Sequence, residues 1–160
     1  MTAATSHPQE GDAAPDFRLP GAGGETLSLA GLKGRNLVLY FYPKDDTSGC
    51  TKEAMEFNAL REKFAKARTT IIGLSPDSVK SHDKFRAKYE LAIPLASDET
   101  KETLAAYGVW VEKSMYGRKY MGVERSTFLI GPDGRVAKIW RKVKVPGHAQ
   151  EVLKAVQDLG

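Results

Sequence analysis

The chain has 160 residues, 41% of them hydrophobic and 28% charged, enough for one domain whose core buries roughly two-thirds of the unfolded surface. Its single cysteine excludes an intramolecular disulfide and, with only the dispersed His7, His82 and His148, cannot supply a Cys/His zinc cluster. The net charge of +4 permits anionic partners, but basic and acidic residues alternate and the one basic cluster, Arg141, Lys142 and Lys144, lacks interleaved aromatics, so a solvated mixed surface is expected and no nucleic-acid partner.

Residues 1–12 are polar and rich in Ala, Thr and Ser, without the basic and apolar regions of a secretory signal. No apolar run approaches the roughly eighteen residues of a membrane span. One cysteine fits a reducing compartment, and the expectation is a cytoplasmic protein with no membrane partner, a flexible tail over residues 1–10 and one domain over 11–160. Segments 14–19 and 25–29 read as hairpin strands around Pro20-Gly21-Ala22-Gly23-Gly24, with a helical turn over 29–34. The run 36–42 is almost wholly apolar and aromatic, the pattern of a strand covered on both faces.

From Cys50 to about Arg68, Ala54, Phe57, Leu60 or Ala59, Phe64 and Ala67 recur at helical spacing. A second buried strand is expected over 69–74, then a helix over 78–89 with Val79, His82, Phe85 and Tyr89 on one stripe. A short strand over 93–96 and a short helix over 98–107 follow. Segment 109–121 has no clean period and is expected to be irregular. Strands over 126–130 and 135–140 flank the hairpin signal Gly131-Pro132-Asp133-Gly134, and a helix over 147–159 closes the chain with Val152, Val156 and Leu159 towards the core. The order βαβαβ, hairpin, helix gives an α/β fold with a mixed central sheet and helices on both faces.

Cys50 follows the strand, Pro43 and the polar loop 44–49, where the helical pattern begins. A thiol there meets free backbone N–H groups and the positive end of the helix dipole, and both favour thiolate over thiol. A lone cysteine is more often a small buried hydrophobe, but Gly49 before it and Thr51-Lys52-Glu53 after it are not core neighbours. Thr47 stands where a Cys-x-x-Cys motif has its first cysteine, which disfavours a disulfide reductase; its hydroxyl can bind a substrate or cap the helix. Pro43 can shield a thiolate or merely start the loop. Glu53 can complement the dipole or orient a guanidinium, and Arg125 is an edge arginine or a fork for a thiolate and a substrate oxygen. His82 reads as a packed, hydrogen-bonded histidine rather than a base, and Trp110, Tyr116 and Trp140 as core or pocket wall.

Pro43-Lys44-Asp45-Asp46-Thr47-Ser48-Gly49-Cys50 fits the Pro-x-x-x-Thr/Ser-x-x-Cys signature of the peroxiredoxins, and Arg125-Ser126-Thr127-Phe128 resembles their arginine-bearing strand. Tyr40-Phe41-Tyr42-Pro43-Lys44, Ser81-His82 with Phe85 and Lys88-Tyr89, and Pro94-Leu95 with Ser97-Asp98 narrow the resemblance to the bacterioferritin comigratory protein, or Q-type, subfamily over residues 11–159. This resemblance implies a thioredoxin-like fold and a thiol-dependent peroxidase for hydrogen peroxide and alkyl hydroperoxides, without haem, flavin or metal. It implies Cys50 as the peroxidatic nucleophile, Thr47, Arg125 and the N–H groups of Gly49 and Cys50 as peroxide-binding groups, Pro43 as a shield and Glu53 as the residue that positions Arg125.

Two departures stand out. Ser48 replaces a common proline, and Met55 occupies the position of a same-helix resolving cysteine, while 79–89, the other usual location, contains none. The expected mechanism is therefore a one-cysteine peroxidase whose Cys50 sulfenic acid is reduced by an external thiol: thioredoxin, glutaredoxin or glutathione. A monomer or weak homodimer is expected. The alternative is a peroxide sensor or holdase, which would oxidise stoichiometrically and stop where a peroxidase turns over.

Overall fold

In the computed structural model, which describes residues 7–159, strands β1 (Arg18–Pro20) and β2 (Thr26–Ser28) form an antiparallel hairpin with Leu19 opposite Leu27. A 3-10 turn, Ala30–Leu32, leads into β3 (Asn36–Phe41), all of whose residues are buried. Helix α1 (Ser48–Lys66), β4 (Thr69–Ser75), α2 (Val79–Tyr89) and β5 (Leu95–Ser97) complete two successive strand–helix–strand units, and β3, β4 and β5 are mutually parallel. Next come α3 (Glu102–Ala106), β6 (Trp110–Met115), β7 (Arg118–Val123), β8 (Ser126–Ile130), β9 (Val136–Trp140) and α4 (His148–Leu159). Strand β8 runs antiparallel to β3, and β9 antiparallel to β8, so the mixed sheet has the order β5-β4-β3-β8-β9.

Alternation along β3 divides the core. Val38, Tyr40 and Tyr42 pack with Ala54, Phe57 and Phe64 of α1, Phe85 of α2 and Val152 and Val156 of α4. Leu37, Leu39 and Phe41 point the other way, into a cluster with Ile72, Phe128, Leu104 of α3 and Phe17 of the N-terminal segment. Helices thus cover both faces, which is why β3 is apolar at every position rather than at every second one. Burying each such large apolar side chain contributes about 1.5–3 kcal/mol relative to leaving it exposed. No described helix is long and apolar enough to cross a membrane.

Several expectations change in detail. Segment 109–121 is not irregular: β6 and β7 form an antiparallel ribbon, paired from Trp110 opposite Val123 to Met115 opposite Arg118. Its turn residues Tyr116 and Gly117 both have positive φ, 52° and 78°, as a type I′ hairpin turn requires. Most of the ribbon is exposed on both faces, so no apolar alternation marks it in the sequence. Tyr116 at its tip is 98% exposed, against its expected place in core or pocket wall, whereas Trp110 and Trp140 pack partly buried against the two cores. On α4 the core-facing residues include Val152, Leu153 and Val156, whereas Leu159, the last residue of the helix, is exposed. On α1, Leu60 rather than Ala59 faces the core. Of the tail expected over 1–10, residues 1–6 lie outside the described residues; Pro8 is buried, and the Glu10 carboxylate accepts from Ile139 N at 3.3 Å.

Candidate active site

At the carboxyl end of β3 the chain turns at half-buried Pro43 and re-enters regular structure at Ser48, so Cys50 is the third residue of α1. The first bond internal to the helix runs from Thr51 N to Thr47 O at 2.8 Å, which leaves the N–H groups of Ser48, Gly49 and Cys50 without a partner in the helix. Thr47 holds the N-cap position, but its hydroxyl does not cap; it donates to Lys44 O at 2.9 Å. The threonine oxygen therefore offers lone pairs and no proton to anything bound beside it.

Cys50 is 1% exposed, and its Sγ accepts a hydrogen bond from Arg125 Nη2 at 3.2 Å. The other fork of the same guanidinium, Nη1, donates to Glu53 Oε1 at 2.5 Å. Cys50 and Glu53 lie three residues apart on α1 and share one helix face, so one arginine from the junction of β7 and β8 bridges both. Register explains its reach: Ser126 pairs with Phe41, which sets Arg125 beside the end of the strand from which the loop departs. Gly49 lies directly under the guanidinium, and a Cβ there would stand 3.4 Å from Arg125 Nη2.

Burial pushes the Glu53 carboxyl up from 4.5 to about 7, against the opposing pull of Arg125. Burial also works against the charge of Arg125, but Glu53 and Cys50 outweigh it and hold the guanidinium protonated. Glu53 was expected to sit in the first turn as either a dipole partner or an orienting group; it is 1% exposed and turned inward. Its Oε2 has no hydrogen-bond partner among the described residues. A helix N-terminus and a doubly held guanidinium beside the sulfur stabilise negative charge that develops next to it.

Two open cavities flank this centre. One, ≈ 490 Å³, is lined by Thr47, Ser48, Thr51, Met55 and Tyr89; the other, ≈ 520 Å³, by Val111, Lys113, Arg125, Lys142 and Val143. Met55 is half exposed on α1, so the position of the missing thiol looks onto the first cavity. The loop itself is tied to α2 by residues that motif reading left without a role: Asp46 accepts from Lys88 Nζ at 2.8 Å and from Tyr89 OH at 2.5 Å, and Asp45 meets Ser81 and His82. The signal was the Asp-Asp pair in a loop followed by a second helix rich in hydrogen-bonding side chains, but nothing local to either segment showed that they meet. His82 is fully buried with both ring nitrogens hydrogen-bonded, in keeping with a packed histidine.

The model of the AhpC/TSA family matches residues 10–139. Among curated proteins, the chain is 50% identical over 143 residues to a putative peroxiredoxin of Coxiella burnetii, covering 89% of this chain and 95% of that one. It is 48% identical over 149 residues to peroxiredoxin Bcp of Bacillus subtilis, covering 93% and 95%. Among solved structures it is similar to the bacterioferritin comigratory protein of Xanthomonas campestris, studied for alkyl peroxide reduction in trapped-intermediate and ligand complexes, with a TM-score of 0.88, 48% identity and coverage of 94% and 96%.

Proposed function

Since the chain belongs to the AhpC/TSA family, in its peroxiredoxin Q branch, we propose that its site works as a one-cysteine peroxidase centred on Cys50. The protein is a thiol-dependent hydroperoxide reductase with a thioredoxin-like fold. The observation that carries the site assignment is the single guanidinium of Arg125, hydrogen-bonded at once to Cys50 Sγ and to buried Glu53.

In the proposed reaction the Cys50 thiolate attacks the hydroxyl-bearing oxygen of the hydroperoxide, the O–O bond breaks, and the alkoxide or hydroxide that leaves takes a proton from solvent. Arg125 and the free N–H groups of Gly49 and Cys50 stabilise the charge on the separating oxygens. Thr47, whose own proton is engaged by Lys44, accepts the peroxide O–H and so orients it. Glu53 positions Arg125, and Pro43 restricts water at the sulfur. The product is a Cys50 sulfenic acid and an alcohol or water.

No second cysteine exists in the chain, so the cycle closes from outside. A thiol attacks the sulfenic sulfur and releases water, and a second thiol reduces the mixed disulfide, returning Cys50 and an external disulfide. Glutathione, glutaredoxin and thioredoxin have the required chemistry, and a cytoplasm that supplies them is the compartment it calls for. All side chains of the proposed site come from one domain over 11–160, which suits a monomer or weak dimer. The test is Cys50→Ser in purified protein with peroxide and each thiol: turnover in the parent and none in the variant is expected, and undiminished thiol-dependent peroxide consumption by the variant would refute the assignment. Stoichiometric oxidation that stops with every reductant would favour the sensor reading instead.

A further inference from the structure

His82 is 0% exposed and lies on α2, the next helix after the one that carries Cys50. Its Nε2 is 2.9 Å from the carbonyl oxygen of Ala96 on β5, and its Nδ1 is 2.7 Å from Asp45 Oδ2 in the loop that leads to Cys50. A carbonyl oxygen only accepts, so Nε2 carries a proton. Nδ1 and a carboxylate oxygen at that separation need a second proton between them. The two groups therefore hold one shared proton, as imidazolium with carboxylate or imidazole with carboxylic acid, and are locked to each other in either case.

The rest of Asp45 is equally constrained. Its Oδ1 accepts from Tyr42 OH at 2.6 Å, Oδ2 accepts from Ser81 Oγ at 2.8 Å, and its backbone N–H donates to Asp77 Oδ2 at 2.8 Å. Burial raises the Tyr42 phenol well above its ordinary value, so it stays a donor. Asp45, Asp77 and His82 lie close enough to share a cation, but Asp77 Oδ2 also accepts from Ser75 Oγ at 2.7 Å, and His82 Nδ1 is engaged by Asp45. These contacts are those of a complete hydrogen-bond network. It joins the ends of β3, β4 and β5 and the start of α2 to one residue of the loop.

That residue stands two positions before Thr47. Between them Asp46 has a positive φ of 59°, a conformation that costs a non-glycine residue free energy and persists only where the surroundings impose it. Asp45 on one side and the Lys88 and Tyr89 contacts of Asp46 on the other supply that restraint. We propose that His82 is a positioning residue of the peroxidase reaction: by fixing Asp45 it sets the loop geometry that presents Thr47 and starts the helix of Cys50. The proposal rests on the reading of Cys50 and Thr47 given above.

The two amide replacements separate the two ends of the ring. The Nδ2 of His82→Asn falls near the place of Nδ1 and can still donate to Asp45, whereas His82→Gln reaches towards Ala96 and loses Asp45. Stopped-flow measurement of the second-order peroxide rate should give His82→Asn within about threefold of the parent, and His82→Gln slower by about tenfold to a hundredfold, the cost of misplacing a reacting geometry by about an ångström. A role in packing alone would lower both alike, and that result, or a parental rate in His82→Gln, overturns the proposal. Should His82→Gln fail to fold by circular dichroism, Asp45→Ala breaks the same contact from the loop side, with the same loss expected and a parental rate again refuting. Cys50→Ser runs alongside: activity lost there but unchanged in the His82 and Asp45 variants defeats this inference alone, while activity surviving in Cys50→Ser defeats the reading beneath it.

Discussion

Replacing Glu53 by Gln gives a direct measure of the charge arrangement around Cys50. Glu53 is 1% exposed, with one oxygen on Arg125 and the other unpartnered. Burial raises its carboxyl from 4.5 to about 7, Arg125 opposes, and Glu56 adds a smaller upward push. Between those two values the folded protein holds a proton that the unfolded chain has released. Protons bound preferentially by the folded state make stability fall as pH rises. The contribution is thus complete below about pH 4.5 and is lost as pH climbs through about 7. The separation of 4.5 from about 7, at roughly 1.4 kcal/mol per pH unit, amounts to about 3–4 kcal/mol.

A glutamine keeps the shape and an acceptor for Arg125 but cannot titrate, and ionising groups remote from Glu53 cancel in the comparison. Urea unfolding of reduced parent and Glu53→Gln at about pH 5, 6, 7 and 8 should show the stability of the parent relative to the variant declining by about 2–3 kcal/mol across the series. A constant difference would mean that Glu53 does not titrate in this range. The same flat result is expected if Arg125 holds the carboxylate ionised throughout, because above about pH 5 the unfolded chain is ionised as well, and it refutes the reasoning.

Arg125→Ala removes the N–H donor to Cys50 Sγ and strands buried Glu53; a loss of about a hundredfold or more in the peroxide rate is expected in stopped flow, and an unchanged rate would exclude Arg125 from the chemistry. Met55→Cys tests the missing resolving thiol. Five residues along a helix rise about 7.5 Å, beyond the roughly 7 Å that a disulfide spans between Cα atoms, so closure requires the start of α1 to unwind. Mass spectrometry after one equivalent of peroxide should find an intramolecular disulfide in Met55→Cys where the parent shows a sulfenic acid or its mixed disulfide; a persistent sulfenic acid in the variant would show that α1 does not open on the experimental timescale.

Much of the framework is local in origin. Strand β3 announces itself because both of its faces are covered and every residue must be apolar, and α1 because Ala54, Phe57 and Phe64 recur at the helical period. The ribbon of β6 and β7 escapes such reading for the opposite reason: most of it is exposed on both faces, so its sequence carries no period, and only the Tyr116-Gly117 turn hints at it. At the site, Pro43, Thr47, Gly49, Cys50 and Glu53 lie within one short stretch whose spacing on a strand, loop and helix is fixed by backbone geometry.

By itself, then, the sequence determined that a lone thiol stands at a helix start and that no partner thiol exists within the chain. Tertiary structure decided what surrounds that thiol. Arg125 reaches Cys50 because β8 pairs antiparallel with β3 in a register that sets Ser126 opposite Phe41, and His82 reaches Asp45 because β4 lies parallel to β3 and carries α2 over the same end of the sheet. Glu53, which the sequence leaves as either a first-turn carboxylate or an orienting group for a guanidinium, becomes a buried carboxyl pushed up to about 7. Burial and charge pairing depend on which distant segments pack together, and the sheet's register fixes that only when the whole chain has folded.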